Sequence, residues 1–159
     1  NWRRLATSTD RIDMFIVEEF VADRFAPHAN VIPLDYKFYV FGGVAGFLEV
    51  FDRNHPQPSR TPYSLGWQPL PQPLEVGRVL GPVIHRPDNL QELIDVAERL
   101  GQDVGAFCRV DLFNGERGPV LGEITMLPAN GKNRTPYANR LAQQAYVVFE
   151  DQQLWAVDR

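Results

Sequence analysis

The stretch "LDYKFYVFGGVAGFLEVFDR", Leu34 to Arg53, decides the fold. Tyr36, Phe38 and Val40 fall on one face of a period-two pattern, and Lys37, Tyr39 and Phe41 on the other. Gly42-Gly43 supplies the backbone freedom of a tight turn, after which "VAGFLEVFDR" runs back as a second strand. The simplest reading is an antiparallel pair. It places one of the chain's two lysines, Lys37, in the middle of an apolar strand. Such a lysine either lays its stem on apolar surface with the ammonium in water, or holds its charge among carboxylates.

Upstream, "DMFIVEEFV" (Asp13 to Val21) reads as a strand ended by a polar loop. Downstream, Asn54 to Pro87 holds most of the 13 prolines without a sustained period. Proline removes backbone donors and fixes φ, so this segment is expected as a surface excursion packed by Tyr63, Trp67 and Leu70, with substrate contact as the alternative. Leu90, Leu93, Ile94, Ala97 and Leu100 then recur at helical spacing. Asp88 and Gln91 are placed as a capping box, and Gly101 as a terminator. "GAFCRVDLF" and "PVLGEITML" read as two strands joined at Asn114-Gly115, and a last helix is expected from Pro136 to about Phe149. The pattern predicts an α+β fold: an antiparallel β-sheet with helices packed on one face.

With 159 residues, 44% hydrophobic and 23% charged, the chain can bury one ordinary core. The net charge of -4 is spread out, with no basic run to meet a nucleic-acid backbone, and no apolar run approaches a membrane span. Neither nucleic acid nor membrane insertion is expected. Cys108, the single cysteine, lies in an apolar string and reads as a buried inert thiol, compatible with a reducing cytoplasm. The chain starts without Met close to a strand pattern, which leads to the expectation of further residues upstream. His28, His55 and His85 lie in proline-flanked, loop-like surroundings and make a poor metal set.

Asp111 and Glu123 sit on the two hairpin strands among apolar neighbours. A buried carboxylate needs a counter-charge, hydrogen bonds or a metal. Paired across the hairpin, the two acids are in reach of one hard cation such as Mg²⁺ with phosphate oxygens; neutralisation by Arg109 or Lys37 is the structural alternative.

"FIVEEFV", "LDYKFYVFGG", "DNLQELIDVAERLG", "FCRVDLF" and "LGEITMLPANG", in that order from about Asp13 to Asn130, resemble the C-terminal half of an ATP-grasp domain. More narrowly they resemble the TupA-like branch linked to cell-surface polymer synthesis. The resemblance implies a C-terminal ATP-grasp subdomain across 1–159, with a hinge strand at 14–21, a core at 34–130 and the last helix at about 136–149. It implies that Glu18, Glu19, Phe20 and Val21 face adenine, that Asp35 holds the ribose hydroxyls, and that Lys37 reaches the phosphates. Asp111 and Glu123 would hold Mg²⁺; Asn130, from the loop that follows, is the candidate for a third ligand. Glu123 is followed two positions on by Thr125 where the wider family often has Asn.

The implied activity is an ATP- and Mg-dependent carboxylate-amine ligase working through an acylphosphate, with small acid and amine substrates. The alternatives are a non-catalytic nucleotide-binding or scaffold fragment, or an ATP-grasp kinase. The family's preceding subdomain is not recognisable in the sequence, so a preceding half or a partner chain is expected to complete the clamp. "PANGKNR", Pro128 to Arg134, reads either as a phosphate- or acid-binding loop or as a solvated basic turn.

Overall fold

A computed structural model describes residues 19–25, 31–54 and 56–157. Among these residues five strands form one antiparallel sheet: β1 Asp35–Phe41, β2 Val44–Asp52, β3 Ser59–Ser64, β4 Phe107–Gly115 and β5 Gly118–Thr125. Their spatial order is β3-β2-β1-β4-β5. The helices are α1 Leu90–Val104 and α2 Pro136–Val157, with a short 3-10 turn at Pro128–Gly131 before α2. Among the described residues no helix is long and apolar enough to cross a membrane.

The Leu34–Arg53 reading holds. Gly42 and Gly43 take φ of 57° and 97°, the left-handed values that a two-residue hairpin turn needs, and β1 pairs with β2 from Asp35↔Phe51 onward. Tyr36, Phe38 and Val40 are buried with Leu48, Val50, Val110 and Leu112 under Leu90, Leu93, Ile94 and Ala97 of α1. The opposite face carries Tyr39, Phe41 and Phe47, which pack with Leu141, Ala145 and Phe149 of α2. The α+β class and the antiparallel sheet are therefore as expected, whereas the helices do not share one face. Period-two alternation is the reason: β1 is apolar on both faces at its C-terminal end, and each apolar face needs its own cover.

Five details differ from the sequence reading, the first being that α2 runs to Val157 and not to about Phe149. Helix α1 begins after Asn89, which makes no side-chain cap bond, so Asp88 and Gln91 do not form a capping box; Gln91 instead donates to Asp95. The helix runs past Gly101 to a left-handed Gly105 at φ 68°. Gly101 is a packing residue: a Cβ there would meet Val40 Cγ1 at 2.3 Å. The β4–β5 turn lies at Glu116-Arg117, two residues beyond Asn114-Gly115. Finally, "SRTPYS" within the proline-rich excursion forms β3, which tolerates Pro62 because it is an edge strand.

The rest of the excursion packs as expected, with Trp67 stacked on Tyr63 at 4.4 Å and its Nε1 donating to Ile84 O at 3.0 Å. Cys108 is a buried free thiol whose pKa burial pushes up. Gly101→Val is expected to cost about 2–3 kcal/mol, since the added methyls enter a filled core; the denaturant midpoint of the variant checks this.

Candidate functional site

On the face away from α1, the charged end of the sheet lines up by strand register. Lys37 in β1 lies opposite Glu49 in β2 and Asp111 in β4, and Asp111 lies opposite Glu123 in β5. The last pairing depends on a β-bulge. Leu112 pairs with Leu121, but Asp111 pairs with Glu123, so Gly122 is the extra residue. Without it Glu123 would shift by one position and point to the α1 face. A Cβ on Gly122 would meet the Phe113 ring at 3.0 Å and Asp111 O at 3.3 Å, which suits the bulge to glycine.

Lys37 is not a snorkelling lysine. It is 5% exposed, and its Nζ lies 2.7 Å from Asp35 Oδ2 and 2.5 Å from Asp111 Oδ2. Arg109 grips Asp111 bidentately, Nε to Oδ1 at 2.6 Å and Nη2 to Oδ2 at 2.7 Å. The same Nη2 lies 3.3 Å from Thr125 Oγ1 and 3.8 Å from Glu123 Oε2, while Thr125 donates to Glu123 Oε1 at 2.9 Å. Burial works against the Arg109 charge, but its bonds to Asp111 outweigh that and raise its pKa. Arg53 completes the cluster by donating to Asp35 Oδ2 at 2.9 Å. Asp35 Oδ1 is buried and has no hydrogen-bond partner.

The two acids therefore differ. Asp111 is 3% exposed and held by two cations, as the structural alternative foresaw, whereas the Glu123 side chain is 62% exposed on the edge strand. Of the other sequence-derived residues, Glu19 and Phe20 are exposed and Val21 is half-buried, and none of the three lies in a strand. The adjoining residues pair with the β4–β5 end through Asp23↔Gly115 and Glu116 N–H to Ala22 O. Glu18 and most of the 14–21 stretch lie outside the described residues. Asn130, at φ 52°, lies exposed in the 3-10 turn and donates through its backbone N–H to Leu127 O.

Arg109 is the member that sequence reasoning treated only as a neutraliser. Its signal was its position two residues before Asp111, which on a strand puts both side chains on one face.

A family model described as TupA-like ATPgrasp matches residues 2–141. The chain belongs to the TupA-like ATPgrasp family. The match covers every strand, α1 and the start of α2. No curated protein and no solved structure matches the chain. For a TupA-like ATPgrasp chain, the family points to nucleotide binding and ATP-dependent ligase-like chemistry.

The residues present fit a divalent ion only in one way. Among the described residues no group of three His, Cys, Asp or Glu side chains could hold a metal. In the cluster, Lys37, Arg53 and Arg109 face Asp35, Asp111 and Glu123, so charge is already balanced. A bare divalent ion would add uncompensated charge, while one that arrives with phosphate oxygens brings its own compensation. Titration of Mg²⁺ without nucleotide is thus expected to show no saturable binding below about millimolar concentration, where a dedicated multi-carboxylate site would saturate. Calorimetry checks this.

Proposed function

We propose that the TupA-like ATPgrasp chain is part of an ATP- and Mg-dependent carboxylate-amine ligase that works through an acylphosphate. The observation that carries this reading is the single register row Lys37–Asp111–Glu123, with Arg109 bridging the two acids on the sheet face away from α1 and Glu123 exposed at its edge. Asp111 and Glu123 would hold Mg²⁺, which supplies charge neutralisation at the phosphates when bound.

The chain's own residues do the rest. Lys37 swings its ammonium from shared contact with Asp35 and Asp111 toward phosphate oxygens, a short movement for a flexible stem. Arg109, fixed by Asp111 and Thr125, presents remaining guanidinium N–H groups to charge developing on the transferred phosphoryl group. Asp35 offers its unpartnered Oδ1 to a hydroxyl donor, a role that a ribose would fill; an unsatisfied buried acceptor costs about 1–3 kcal/mol, so such a donor is welcome there. Asn130 is retained as a further metal-facing residue, and the Glu18–Val21 segment as the adenine edge.

The reaction breaks the bond between the γ-phosphorus and the bridging oxygen of ATP, forms a bond to a carboxylate oxygen and releases ADP. An amine then adds to the acyl carbon, loses a proton and expels phosphate. No side-chain nucleophile is needed. Incubation of the protein with Mg·ATP and panels of acids and amines tests this: ADP release that requires both an acid and an amine is expected. Release that needs no amine would point to a kinase, and none with any pair would remove the ligase reading.

A further inference from the structure

We propose that Arg134 forms a second anion-binding point on this face, one that takes a negatively charged group of the acid substrate and not the nucleotide. The assignment of that group to an acid substrate rests on the ligase reading above; the anion site itself rests on geometry.

Arg134 lies between the 3-10 turn and α2, in the segment that the sequence left open between an anion-binding loop and a solvated turn. Asn130, Gly131, Lys132 and Asn133 are exposed, as in a solvated turn, whereas Arg134 is half-buried. The segment is fastened to the proline-rich excursion by the bridge Glu75↔Arg134, by Val76 N–H to Asn133 O at 2.8 Å and by Thr135 N–H to Leu74 O at 3.1 Å. Thr135 Oγ1 also donates to Pro73 O at 2.9 Å. The half-buried guanidinium is then laid over the Tyr39 ring at 4.8 Å, and Nη1 donates to Tyr39 Oη at 3.0 Å. Tyr39 is 2% exposed and stacked on Phe47 at 4.5 Å, so the anchor is rigid.

The other arginines of this face are held by acids. Arg53 is held by Asp35, Arg109 by Asp111, and Arg60 by Glu49 at 3.2 Å and Glu75 at 2.9 Å. Among the described residues Arg134 has no carboxylate within ion-pair distance, and a phenol and a ring hold it instead. Glu49, the acid whose field reaches both Arg134 and Tyr39, is already engaged by Arg60. A neutral anchor fixes the guanidinium and leaves its charge free for an incoming anion, and partial burial strengthens that attraction.

Position says which anion. Along β1 the face runs Asp35, then Lys37 beside Asp111 and Glu123, then Tyr39 beside Arg109 and Thr125. Two strand residues span roughly 7 Å. The Tyr39–Arg134 pair is therefore one row beyond the phosphate row, on the side away from Asp35. A nucleotide whose ribose is at Asp35 and whose phosphates are at Lys37 ends there, and the next row is where the phosphoryl acceptor must approach.

The test uses two probes on the whole protein, malonate as a small carboxylate anion and Mg·AMP-PNP as the nucleotide, in wild type, Arg134→Met, Arg134→Lys and Tyr39→Phe. Saturable malonate binding is expected in wild type. Arg134→Met should weaken it about tenfold or more, the equivalent of one charge-assisted contact. Arg134→Lys and Tyr39→Phe should weaken it less, and every variant should keep nucleotide affinity within about twofold of wild type, a difference under 0.5 kcal/mol. The proposal is overturned if malonate does not bind wild type, if Arg134→Met binds it unchanged, or if the loss falls on the nucleotide. Should Arg134→Met fail to fold, unchanged malonate affinity in both Arg134→Lys and Tyr39→Phe overturns it equally. Malonate binding that depends on Arg134 in a protein with no affinity for nucleotide would sustain the anion site and remove the ligase reading.

Discussion

Glu123→Gln is expected to lower turnover by about a hundredfold to a thousandfold, the size seen when one preorganised charge contact at a developing anion is removed, with the unfolding midpoint hardly changed. The two halves of that expectation come from different facts. Glu123 is on the edge strand with its side chain 62% exposed, and among the described residues its near cation, Arg109, is 3.8 Å away. An exposed ion pair of that length contributes little to stability, and an isosteric change at such a site stays within about 0.5 kcal/mol. The same carboxylate is the open one of the two assigned to Mg²⁺, so its charge matters mainly when nucleotide is bound. Steady-state assays beside a thermal melt separate the two effects. A large loss of stability would show that Glu123 is structural.

Asp111→Asn carries the opposite signature. Turnover should again fall by about a hundredfold or more, but stability should fall with it by about 3–5 kcal/mol, the usual consequence of removing one member of a buried ion pair. Asp111 takes two bonds from Arg109 and one from Lys37 while 3% exposed. Asparagine has one carbonyl oxygen and two donor hydrogens, and those hydrogens would face the cations. Lys37 would keep Asp35, but Arg109 would lose its bidentate partner. The sequence alone suggested two equivalent acids; the structure separates them into a buried keystone and an exposed hand. Denaturant unfolding of the pair of variants distinguishes them directly.

The β1–β2 hairpin was legible because its signals are local: alternation, Gly42-Gly43 and a polar end. The same holds for α1, whose apolar stripe repeats over more than two turns. The terminator role given to Gly101 failed because its reason is tertiary, a close approach to Val40 that no helix-end rule contains. Strand β3 was hidden because Pro62 breaks the usual pattern, and only its edge position makes the proline harmless.

The site was half legible. Lys37 and Asp111 stand out as charges in apolar strands, but their partnership with Glu123 turns on the bulge at Gly122, one residue that decides which face the acid takes. The glycine before Glu123 is the signal, and alone it does not announce a bulge. Arg134 was ambiguous for a similar reason: its meaning comes from Tyr39, 95 residues earlier in the chain.

The most direct measurement of the central claim is an equilibrium titration of the protein with AMP-PNP, in the presence of Mg²⁺ and again with the ion chelated. Saturable binding is expected, weakened by about tenfold or more, a difference of about 1.4 kcal/mol, when Mg²⁺ is removed. Equal affinity under both conditions, or no saturable binding with Mg²⁺ present, would contradict it.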